Sequence, residues 1–95
     1  MAQVQEWSDN LISELCNGLK ERRLQLSLSI YRLSQESGVS EPAIAFYESH
    51  QRRPVVDSIA KLSWALGLMP SELLALAEER AGKPPKQPGK PKRAP

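Results

Sequence analysis

Apolar residues recur at helical spacing through the first 82 positions, and no stretch alternates apolar and polar long enough to read as a strand. Leu11, Leu15 and Leu19 repeat every four residues, with Ile12, Cys16 and Leu26 near the same face. This spacing predicts a first amphipathic helix from about Asp9 to Leu26. Ser8 is positioned to cap it, with Trp7 and Ile12 as a hydrophobic staple across the cap. Gly18 inside it costs about 1 kcal/mol against Ala and marks a place where the helix could bend or break. Ser29 ahead of Ile30 and Leu33, with Gly38 as a stop, predicts a short second helix. Ser40, Glu41 and Pro42 open a third, because proline in a first turn forfeits no intrahelical bond. Ile44 and Tyr47 point to one side of it, and Glu41, Pro42, Ala45 and Phe46 mostly to another. Beyond Pro54, the residues Val56, Ile59, Ala60, Leu62 and Leu66 mark a fourth helix closed by Gly67. Pro70 starts a fifth, carrying Leu73, Leu74, Leu76 and Ala77 and ended by Gly82. The chain reads as all-α, a five-helix bundle.

At 95 residues and 40% hydrophobic content, there is room for one domain with a core of aliphatic side chains. No apolar run approaches the roughly 20 residues of a membrane-spanning helix, and no basic start leads into the apolar block of a signal peptide. The expectation is therefore a soluble, cytoplasmic protein that does not engage a membrane. One cysteine, Cys16, and one histidine, His50, complete neither an internal disulfide nor a metal set. Cys16 reads as a small, half-buried hydrophobe. The chain also lacks a glycine-rich phosphate loop and carboxylates paired at a fixed spacing, so it is not expected to be an enzyme. Nothing points to a cofactor, a metal or a small-molecule ligand.

Charge changes the picture at the C-terminus. Residues 83–95 contain Lys83, Lys86, Lys90, Lys92 and Arg93, no acid, and no Leu, Ile, Val or aromatic residue. Such a stretch cannot bury enough apolar area to offset the entropy of ordering it. It predicts a disordered basic tail with polyproline-like stretches, either a phosphate-seeking arm or a solubilising terminus. The preceding residues are net acidic. The chain divides into a helical extension over 1–17, a folded domain over 18–82 and the tail over 83–95.

Only Gly38, Val39 and Ser40 separate the second and third helices. A turn this short forces two short helices to cross steeply, as in a helix-turn-helix, whose second helix can enter a major groove about 12 Å wide. The surrounding residues strengthen that reading. Arg23, Leu28-Ser29, Leu33, Gly38-Val39-Ser40, Ile44, Glu48, Pro54, Ile59, Leu62, Leu66-Gly67 and Ser71-Glu72-Leu73-Leu74 occur in the order and spacing of one family. Over residues 19–74 the chain resembles the Cro/repressor (XRE-like) helix-turn-helix family, with a lambda-repressor-like DNA-binding fold. The resemblance implies that Arg23 and Glu48 form a buried structural pair. It also implies that Ser29 and Ser40 cap the second and third helices beside phosphates, and that Arg52 and Arg53 contact the DNA backbone. Glu41, Ala43 and Phe46 would lie nearest the bases. The implied function is a sequence-specific transcriptional regulator. It would be a repressor acting on double-stranded DNA by operator occupancy, as a homodimer in a bacterial, phage or plasmid setting.

The departures bear on that expectation. Glu41, Pro42, Ala43 and Phe46 stand where base-reading relatives carry bidentate donors, and Ile30 replaces a polar residue after the Ser29 cap. Glu41 could accept a bond from a cytosine amino group, or could serve only as a favourable acid at a helix N-terminus. Phe46 could pack on thymine methyls, meet a protein partner or fold back on the core. His50 occupies a position where relatives have a left-handed glycine. Over 28–55, Arg32, Arg52 and Arg53 balance Glu36, Glu41 and Glu48, so the tail and dimerisation would have to add affinity. Dimer surfaces are expected on the fifth helix (Leu73, Leu76, Ala77) and the first (Trp7, Leu11, Leu15), with Trp64 packed inside or at the rim. The alternative is a helix-turn-helix scaffold turned to protein–protein contact, of antitoxin-like or adaptor type.

Overall fold

A computed structural model describes residues 2–89. Five helices follow one another: α1 (Ala2–Gln25), α2 (Ile30–Ser37), α3 (Glu41–Glu48), α4 (Val56–Ala65) and α5 (Pro70–Ala81), and no strand occurs among the described residues. The fold is the all-α bundle that the periodicity predicts.

The first helix departs from expectation at its start. It begins at Ala2, so Ser8 lies inside it and caps nothing. The residues before Ser8 include no glycine or proline, and Ala, Gln and Glu favour helix. Gln5 Nε2 also donates to Asp9 Oδ1 at 2.8 Å, one turn along. The extension and the domain's first helix are thus one 24-residue helix. Nor does that helix end or break at Gly18. A Cβ there would lie 3.2 Å from Leu73 Cδ1 and 3.8 Å from Leu76 Cδ2, so glycine lets α5 lie close against α1. Gly18→Ile is expected to destabilise the fold by about 1–3 kcal/mol, the usual range for overpacking, read as a lower urea midpoint.

The α1–α5 pairing consumes surfaces that the sequence left available for a second chain. Leu15, Leu73 and Ala77 are buried in the core and Leu11 packs on its edge, so these four are not a dimer surface, while Trp7 is half-buried and Leu76 stays exposed. Trp64 corrects another expectation, since it is exposed rather than packed inside. The core joins Leu15 and Leu19 of α1, Leu33 of α2, Ile44 of α3, Leu62 of α4 with Leu66 just after it, and Leu73 of α5. Cys16 is buried within this set, only 1% exposed. Desolvation pushes its thiol up to about 11.

Helix ends follow their residue chemistry. Ser29 Oγ accepts the Arg32 N–H at 3.0 Å, and Gly38 closes α2 in the left-handed region at φ 78, its N–H donating to Ser34 O at 2.9 Å. At the start of α5, Glu72 Oε1 accepts the Met69 N–H at 2.9 Å. Residues 82–89 form neither helix nor strand, and Pro84, Pro85 and Pro88 line a cleft with Val4 and Trp7. The rest of the predicted basic tail, 90–95, lies outside the described residues.

Candidate nucleic-acid interface

The turn Gly38–Ser40 sets α3 across α2, and two buried connections hold it there. Arg23 sends Nε to Glu48 Oε2 at 2.7 Å and Nη2 to Glu48 Oε1 at 2.8 Å, a bidentate pair tying α1 to the last residue of α3. Its Nη1 donates to Leu28 O at 2.8 Å, which fixes the segment entering α2. On the other side, the Tyr47 hydroxyl meets the Ser58 hydroxyl at 3.1 Å and ties α3 to α4. With Ile44 and Tyr47 buried, α3 presents Glu41, Pro42 and Ala45 outward, while Ala43 and Phe46 are half-buried.

The exposed serines cap both helix N-termini. Ser40 Oγ accepts the Ala43 N–H at 3.3 Å, as Ser29 does for Arg32. In each case the hydroxyl proton stays available to donate, so a capping serine can bind a phosphate oxygen without giving up its cap.

Past α3, His50 takes the left-handed conformation at φ 63. The reversed chain then donates the Gln51 and Arg52 N–H groups to Phe46 O at 2.9 and 3.3 Å. This turn folds Arg52 back over Phe46, its guanidinium carbon 4.8 Å from the ring centroid. Phe46, half-buried, thus serves as a shelf for Arg52, a role not among those the sequence suggested.

Arg53 points elsewhere, pairing with Asp9 on α1. The Arg53 guanidinium and the Gln5 amide hold the Asp9 carboxyl below its ordinary value. His50 Nε2 lies 3.0 Å from Asn17 Oδ1, so α1 holds the loop at two points, Asp9 and Asn17. Arg32 pairs with Glu36 at 2.6 Å on α2. Among the described residues Arg52 makes no ion pair with a carboxylate. It is the loop's least committed cation.

The sequence pattern of the helix-turn-helix family matches residues 19–73, more than half of the chain. The chain belongs to the XRE-type helix-turn-helix family. Comparison with curated proteins and with solved structures returns no match. XRE-type domains are DNA-binding, and their matched span covers α2, the turn and α3 with all seven residues that the sequence placed at DNA. It excludes Asp9 and Asn17, which sequence reading missed as partners of the loop. They lie 44 and 33 residues from Arg53 and His50, and no local pattern signals a pairing at that range.

Among the described residues, no single helix is long and apolar enough to cross a membrane, and no group of acidic, histidine or cysteine residues is arranged to hold a metal ion.

Proposed function

We propose that this chain is a sequence-specific transcriptional regulator, a repressor that occupies an operator as a dimer and excludes polymerase. The observation that carries this reading is the helix-turn-helix itself, with α2 and α3 both serine-capped, Glu41 and Pro42 exposed at the start of α3, and Arg52 stacked on Phe46 near its end. Ser29, Ser40, Arg52 and Arg53 bind phosphates and fix the register. Glu41, Ala43 and Phe46 lie nearest the bases, with Glu41 suited to a cytosine amino group and Phe46 to a thymine methyl. A dimer would read two half-sites about 34 Å apart. The site carries no catalytic role and calls for no cofactor.

A second reading draws on the same turn. Glu41 and Pro42 are exposed, and no bidentate base donor stands beside them, which suits a protein partner of antitoxin or adaptor type. Selection from random duplex oligonucleotides at two salt concentrations separates the two. An enriched palindrome supports the regulator; no enriched sequence supports the protein-contact scaffold.

Asp9 competes with phosphate for Arg53 on this reading. Asp9→Asn should tighten duplex binding roughly threefold, as expected for releasing one exposed ion pair, read by fluorescence anisotropy at low salt. Because the Asp9 carboxyl is depressed in the folded chain, its hold on Arg53 is complete at neutral pH. That hold fades as pH falls through the depressed value. The asparagine variant should lack this contribution to the acid dependence.

A further inference from the structure

Helix α4 buries Ser58, Ile59, Leu62 and Ser63, and its opposite side carries an uncovered apolar stripe. Val56 is 81% exposed, Trp64 is 74% exposed, and the small Ala60 between them is exposed as well. These residues recur every four positions and so form one line along the helix. Val55, 60% exposed, extends it at the N-cap. An indole this open is costly in water, and aromatic anchors of this kind mark contact surfaces.

The charges beside the stripe identify what covers it. Asp57 and Lys61 occupy the adjoining line, one turn apart and both exposed, with Lys61 Nζ 2.8 Å from Asp57 Oδ2. If two copies of α4 meet antiparallel, a twofold axis perpendicular to the helices keeps this line on the same side of both. Asp57 of each copy then faces Lys61 of the other. A parallel pairing, with its axis along the helices, would carry this line to opposite sides of the contact, so Asp57 and Lys61 of the two copies would not meet and the exchange would be lost. The apolar stripe has the same self-complementarity, since Trp64 of one copy falls on Val56 of the other while the two Ala60 residues let the backbones approach.

We infer that α4 is the surface through which two copies of this chain associate, antiparallel about a twofold axis beside Ala60. The inference rests on the dimeric regulator proposed above and names the face that makes it dimeric, α4 in place of α1 and α5. Trp64 is the anchor, Val55 and Val56 form its seat, and the Asp57–Lys61 exchange sets the direction.

Sedimentation of the full chain tests this, with circular dichroism confirming that each variant is folded. The parent chain should sediment as a dimer. Trp64→Lys should raise the dimer dissociation constant about thirtyfold, as for loss of a central anchor. Asp57→Lys alone should weaken association, and adding Lys61→Asp should restore it. Ala60→Cys should be joined by a short bifunctional maleimide, whereas Ala75→Cys, exposed on α5, should not; Cys16 is buried and silent. A parent chain that stays monomeric overturns the inference, as does a dimer indifferent to Trp64→Lys with no cross-link at position 60. Duplex binding is measured alongside. Duplex binding without the cross-link rejects this face but leaves the regulator reading standing. Cross-linking without any duplex binding rejects the regulator reading and keeps the face.

Discussion

Glu48→Ala should lower the free energy of unfolding by about 3–5 kcal/mol, because it strands the Arg23 guanidinium inside the fold. Arg23 is only 8% exposed, and Glu48 supplies two of its three acceptors. Without that carboxylate the cation keeps only the Leu28 carbonyl and must move toward solvent or draw water in. Either change loosens α1 from the end of α3 and the approach to α2. A domain of this size is stabilised by only about 5–15 kcal/mol, so the loss should be plain in a urea titration. Arg23→Ala should have an effect of the same order, and the double variant should cost less than the sum of the two. Additive single effects would show that the pair does not act as a unit.

Replacing Arg52 and Arg53 together by Ala should weaken binding to every duplex sequence and flatten the dependence of affinity on salt. For each phosphate no longer neutralised, the slope of log K against log salt should fall by about 0.9. The two arginines should not contribute equally. Arg52 is stacked on Phe46 and has no acidic partner among the described residues, so it would meet a phosphate already oriented. Arg53 must first leave Asp9. Arg52→Ala should therefore carry most of the loss, and Arg53→Ala should matter less at low salt. Folding should be unaffected, since both side chains are exposed. An unchanged slope in the double variant would remove this loop from the interface.

Local signals were the most legible part of the sequence. Serine caps at Ser29 and Ser40, the glycine stop at Gly38 and the proline starts at Pro42 and Pro70 are encoded within a few residues of the ends they set. The placement of α2 through α5 could therefore be read directly. The start of α1 could not, because Ser8 offers a cap that the continuous run of helix formers before it overrides. Gly18 was ambiguous for a different reason. A glycine inside a helix signals weakness locally, and only the position of Leu73 reveals it as a point of close packing. Trp64 failed for another reason: helical spacing already puts it opposite Ile59, Leu62 and Leu66, but a large aromatic is expected to bury, and here it does not. At the site, the motif located the arginine loop, but Asp9, which holds one of those arginines, lies too far along the chain for spacing to reveal.

The solitary sulfur has a practical consequence. Cys16 is sealed among the helices and, with its thiol pushed up to about 11, almost wholly un-ionised at neutral pH. A chromogenic disulfide reagent can therefore attack it only when the bundle opens. The kinetics of that colour change become a clock for spontaneous global opening, with no dye or label engineered into the chain.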